Sequence, residues 1–193
     1  MTIEIASIVV ALAGWEIAVA GSAAAQSATI RVSTDSQTGL MLAGDTIRIT
    51  TVVSWEPGAG VYLAGVRGGT IAIPPPVADT GTAGGTVTSH FTNGALVRIG
   101  TPSGGSLVGA DIAGISPFFQ GGLMVPPWWN NAGIIIHSYD WTAPSGNTAP
   151  EVYRFEFVSP AIAPNVRLYP TTVTPAFVEV PTEFLGASIT VIP

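Results

Sequence analysis

The stretch Gly44-Asp45-Thr46-Ile47-Arg48-Ile49-Thr50-Thr51-Val52-Val53-Ser54-Trp55-Glu56-Pro57-Gly58 decides the fold class. In an extended chain Ile47, Ile49, Thr51, Val53 and Trp55 fall on one side, and Arg48, Thr50, Val52 and Ser54 on the other. Successive side chains of a strand point to opposite faces, so this alternation predicts a strand with one buried face. Gly44-Asp45 opens it and Glu56-Pro57-Gly58 closes it as a turn.

The same pattern recurs on both sides. Ile30 and Val32 alternate with Arg31 and Ser33, and Tyr153, Phe155 and Phe157 alternate with Arg154 and Glu156. Residues 61–73 are rich in strand formers but carry Gly68-Gly69, which predicts two strands or one bulged strand. Pro74-Pro75-Pro76 cannot continue a central strand. Residues 86–91 and 95–99 flank Asn93-Gly94, a hairpin signal. Residues 100–131 are the least regular part, and strand pattern returns over 133–142, 166–169, 177–180 and 187–192. No stretch of ten or more residues beyond position 26 shows a helical period. About 9–10 short strands joined by Gly- and Pro-rich turns predict an all-β fold, an antiparallel β-sandwich or jelly roll.

Composition narrows the function classes. Only 9% of the 193 residues are charged, against about 25% in an ordinary soluble domain. All six basic residues are Arg and the net charge is −6. The arginines, at 31, 48, 67, 98, 154 and 167, are scattered along the sequence, so no basic run points to nucleic acid. With no cysteine there are no disulfides, thiolate metal sites or Cys nucleophile. A surface so poor in charge has little colloidal repulsion and favours packing into arrays or filaments.

Residues 1–25 read as a signal peptide or a retained hydrophobic segment, ahead of one β-sandwich domain over 26–193. Ala23 and Ala25 satisfy the small-x-small rule for cleavage before Gln26. The apolar run is shorter than the roughly 20 residues of a membrane span and is broken by Glu16.

Ala28-Thr29-Ile30-Arg31-Val32-Ser33, followed by Leu42-Ala43-Gly44-Asp45-Thr46-Ile47-Arg48-Ile49, resembles the opening of cohesin-like sandwiches. The layout, ending in the strand-like Gly186-Ala187-Ser188-Ile189-Thr190-Val191-Ile192-Pro193, also resembles bacterial exported proteins of the PEP-CTERM sorting class. The Pro-Glu-Pro motif, apolar helix and Arg cluster of that class are not in this sequence. The resemblance implies an envelope or matrix location, secreted or at the bacterial cell surface, and no particular reaction.

Catalytic parts are few. His90 and His137 are the two histidines, each with a serine neighbour, Ser89 and Ser138. Adjacent residues on a strand face opposite ways, which argues against contact within either pair. No zinc-protease, phosphate-loop, nucleophile-elbow or dinucleotide motif is present. Asp79, Asp111 and Asp140 are isolated in sequence; no cofactor is expected, and a calcium site built from distant loops stays open.

The aromatic cluster is the sharpest feature. Trp128, Trp129 and Asn130 lie in a Pro- and Asn-rich loop, and Ile135, His137, Tyr139 and Trp141 fall on one predicted strand face. Three readings stay open for these rings: core closure, contact between subunits, or a platform for sugar rings. The expected function is non-enzymatic, structural or adhesive. Its partner is the protein itself, in an oligomer or filament, or another envelope protein. The alternative is a carbohydrate-binding module contacting polysaccharide through Trp128, Trp129, Asn130, Tyr139 and Trp141.

Overall fold

The alternating stretch forms the strand Thr46–Glu56, and its inward side chains Ile47, Ile49, Thr51, Val53 and Trp55 are all buried. The computed structural model describes residues 26–56, 61–76, 78–91, 97–112, 133–159, 166–169 and 177–193. Every regular element among the described residues is a strand, and there are 14 of them. In chain order they begin β1 (Ser27–Thr34), β2 (Leu40–Leu42), β3 (Thr46–Glu56), β4 (Tyr62–Ile73) and β5 (Thr82–Thr88). Then come β6 (Val97–Arg98), β7 (Thr101–Ser103), β8 (Ser106–Ile112), β9 (Ile134–Thr142) and β10 (Glu151–Val158). The last are β11 (Val166–Tyr169), β12 (Val178–Glu179), β13 (Thr182–Leu185) and β14 (Ala187–Ile192).

They form two sheets. The smaller has the order β13-β1-β3-β9-β5. The larger is organised around β4. Thr70 of β4 pairs with Phe157 of β10 and with Leu107 of β8, and Val66 pairs with Val166 of β11 and with Ile112 of β8. A residue has only two edges, so β8 runs along one edge of β4 while β11 and β10 follow one another along the other. β14 and then β2 extend the sheet beyond β10, and β6 and β7 line the outer edge of β8.

The sheets pack face to face over Trp55, Tyr139, Trp141, Tyr153 and Phe155, all fully buried. Each fills its place because its neighbours along the strand point outward. The two margins are joined as well. On one side β13 belongs to the smaller sheet and β14 to the larger, with Gly186 between them. A Cβ there would lie 2.8 Å from the Phe155 carbonyl oxygen, so only glycine lets the strand change sheets at this point. On the other side Ala83 N–H of β5 donates to Gly104 O of the β7–β8 turn at 2.6 Å. There the Gly105 backbone lies against the Thr80 carbonyl and the Trp141 ring nitrogen.

Several sequence expectations are corrected. The strands outnumber the 9–10 expected, because two- to four-residue strands such as β2, β12 and β13 are too short to carry a period. The pairing is mixed, with β1–β13 and β2–β14 parallel. Of the two readings of residues 61–73, the single bulged strand is the one formed, as β4 with its register shifts, whereas residues 101–112, within the region expected to be irregular, form a hairpin on β4. Ile135 does not share the face of His137. Thr51 pairs with His137 while Val52 pairs with Ile135, so Ile136 is a bulged residue and is itself buried. Asn93-Gly94, Pro57-Gly58 and the segment before residue 26 lie outside the described residues.

Gly105→Ala is expected to destabilise the protein by about 3 kcal/mol, the upper end of overpacking, since its Cβ would meet backbone. Gly146→Ala, with no atom within 4 Å of the added Cβ, is expected to stay within about 0.5 kcal/mol. Chemical denaturation midpoints of the two variants measure the contrast.

Candidate functional site

Tyr139 and Trp141 are core residues, each 0% exposed. The Trp141 ring lies 5.2 Å from Tyr153 and 5.1 Å from Phe155, and its Nε1–H donates to Thr80 O at 2.9 Å. Tyr139 donates its hydroxyl to Gly105 O at 3.3 Å, and burial pushes its pKa upward. Both polar tips are thus satisfied inside the sandwich, and neither ring is available to a sugar or a partner. Trp128, Trp129 and Asn130 lie outside the described residues.

The histidines also separate. His137 is fully buried on the inward face of β9. Its Nδ1 lies 3.1 Å from Ile99 O, and its Nε2 lies 2.7 Å from Thr70 Oγ1. Thr70 Oγ1 is in turn 2.6 Å from Thr51 Oγ1. A carbonyl only accepts, so Nδ1 carries the proton and Nε2 accepts from Thr70, which accepts from Thr51. This chain of hydrogen bonds crosses the core from β3 through β4 to β9. Ser138, the neighbour of His137, faces the other way and bonds Arg48 and Thr50. His90 is exposed, and its Nδ1 accepts from Ile135 N–H. Neither adjacent serine meets its histidine's ring.

The carboxylates are dispersed in the same way. Asp140 pairs with Arg48 at 2.7 Å, and Asp111 with Arg67 at 2.8 Å. The Arg48 guanidinium makes four further hydrogen bonds, to Ser138 Oγ and O, Thr86 O and Thr88 Oγ1, which bind β3, β9 and β5 together on the outer face. Its partners are some 40 or 90 positions away, so no local pattern signals it. Among the described residues no three His, Cys, Asp or Glu side chains converge as metal ligands.

Three surface features remain. A cleft of about 660 Å³ at one end of the sandwich is lined by Asp79, Asn147 and Glu151 among small polar residues. A groove of about 510 Å³ on the outer face of the larger sheet is lined by Arg67 and Arg98, with Gly68, Gly69 and Gly109. The third feature is apolar. Leu40, Leu42 and Val152 are 51%, 52% and 52% exposed, and register places Leu40 beside Thr190, Thr190 beside Val152, and Leu42 beside Ile192.

The chain is thus an all-β protein of the sandwich class. No family model matches it, and no curated protein matches it. Among solved structures it is similar to the third cohesin of ScaC from Acetivibrio cellulolyticus, solved in complex with the ScaB dockerin. The identity is 9% and the TM-score 0.45, over 87% of this chain and 99% of that one.

The His137 chain makes stability depend on pH. Desolvation lowers the His137 pKa from 6.5 to about 4, outweighing the opposing effect of its bond to Ile99. The unfolded chain therefore binds this proton first. The contribution of this group is complete above about pH 6.5, falls as pH drops towards 4 and levels off below, for an expected loss of about 3 kcal/mol. Denaturation midpoints across this window are expected to fall more steeply for the native protein than for His137→Gln, in which carboxylate titration is common to both.

Proposed function

We propose that the protein is a non-enzymatic structural or adhesive module of the bacterial cell surface that associates with copies of itself. The observation that carries this reading is the apolar row of Leu40, Leu42, Val152 and Ile192 on the outer face of the larger sheet. With Thr190 among them these side chains bear no charge, so the same surface can meet itself across a two-fold axis without like-charge repulsion. Contiguous apolar surface of this kind marks interaction sites.

The face, and not the adjacent sheet edge, supplies the contact. The outer edge of β2 is occupied by its own neighbours. Leu40 N–H donates to Thr38 Oγ1 and Leu40 O accepts from Ser36 Oγ, both at 3.2 Å. Leu42 N–H donates to Asp45 Oδ2 at 3.4 Å, and Leu42 O accepts from Asp45 N–H at 3.1 Å. A strand whose outward groups are taken is a poor template for another strand. Trp128, Trp129 and Asn130 keep a proposed role as further contact residues, and a sugar platform would rest on them without Tyr139 and Trp141.

Sedimentation velocity over a concentration series tests the reading. The native protein is expected to associate, and Val152→Glu, at an exposed position, to weaken association by about tenfold or more at unchanged thermal stability. A native protein that stays monomeric throughout overturns it. So does a Val152→Glu variant that associates as well as the native chain.

A further inference from the structure

Two of the six arginines, Arg67 and Arg98, line one groove although 31 positions separate them in sequence. Register explains how. Arg67 of β4 lies opposite Asp111 of β8, and Asp111 lies opposite Arg98 of β6, so the three side chains form a row across adjacent strands. Asp111 is committed to Arg67 through a bond from Nε to Oδ1 at 2.8 Å. One carboxylate for two guanidinium groups leaves an excess of positive charge in a protein whose net charge is −6. It also leaves Nη donors on Arg67, and the exposed Arg98 guanidinium has no hydrogen-bond partner among the described residues.

The rest of the lining says what kind of molecule fits. Val108 and Val158 are both exposed, and with Ile71 they give the groove apolar walls beside the arginines. Gly68 and Gly69 must lack side chains for internal reasons, since a Cβ would strike the Phe157 ring at Gly68 and the Leu107 carbonyl at Gly69. Gly109 is glycine for its backbone, since its φ of +75° lies in the left-handed region, and nothing lies within 4 Å of where its Cβ would be, so the space above it is open. Glycine within a strand permits close approach of another backbone. Guanidinium groups bind planar carboxylates through paired N–H donors.

We propose that this groove binds an acidic segment of a polypeptide partner, with a carboxylate on Arg98 and the free Nη donors of Arg67, and neighbouring apolar side chains against Val108 and Val158. The apolar walls favour a peptide over an acidic polysaccharide, whose hydroxyl groups would meet valine methyls. The inference extends the module's proposed binding role to a second surface and a second kind of partner, and does not require self-association through Leu40 and Val152.

Fluorescence anisotropy with a labelled, end-capped Val-Glu-Val-Glu-Val peptide tests it. The expected result is binding that weakens with salt, and loss of about tenfold or more when Glu is replaced by Gln in the peptide or Arg98→Gln is made in the protein. Arg98 is exposed, so its variant is expected to melt as the native protein does. Arg154→Gln, outside the groove, is expected to bind normally. No difference between the Glu and Gln peptides, or full binding by Arg98→Gln, overturns the proposal. Binding of oligogalacturonate in preference to the peptide overturns it in favour of a polysaccharide. Sedimentation of Arg98→Gln keeps the two readings apart: self-association is expected to survive in this variant, so either can fail alone.

Discussion

The sandwich depends on one constraint: Trp141 must sit between the sheets with its ring nitrogen bonded to Thr80. That bond draws the chain leading into β5 against the end of β9, and the Gly104–Gly105 turn of the larger sheet closes over the same spot. The ring meets Tyr153 and Phe155 from the opposite sheet, so one side chain contributes apolar area, an edge-to-face contact and a margin tie. Gly81 and Gly105 are both pressed against Trp141, which fixes glycine at both positions.

The polar chain from Thr51 through Thr70 to His137 works differently. It adds little apolar burial, but it specifies which residues of β3, β4 and β9 stand opposite one another. A buried donor or acceptor left unpaired by a one-residue slip costs about 1–3 kcal/mol, so the network penalises misalignment. It sits beside the bulge at Ile136, where alternation fails and register most needs a marker.

Strands with one apolar and one polar face were legible from residues alone. Thr46–Glu56 and Glu151–Val158 have the expected faces because Ile47 to Trp55 and Tyr153 to Phe157 alternate without interruption. β8 was not legible, because Gly109 breaks its pattern and its apolar residues pack on a strand about forty positions earlier. β2 and β13 exist only because β14 and β1 lie beside them, which is tertiary information. For the aromatic cluster the sequence left three readings open, since a tyrosine or tryptophan on a strand suits a core and a binding face equally. Burial places Tyr139 and Trp141 in the core, and that burial depends on Thr80 and Gly105 from far along the chain. The groove arginines were visible only as scattered charges, because Asp111 unites them across three strands.

The strand that passes from β13 into β14 also sets how the protein carries load. β13 lies parallel to β1, with Ala28 to Arg31 alongside Thr182 to Leu185, so strands from the two ends of the described chain run the same way side by side. Tension drawing those ends apart slides the two strands along their length. It strains all their hydrogen bonds together and cannot peel them one at a time. β14, continuous with β13, transmits the same pull into the larger sheet through β10. The geometry is that of a mechanical clamp, in which resistance to stretching comes from shear between β1 and β13.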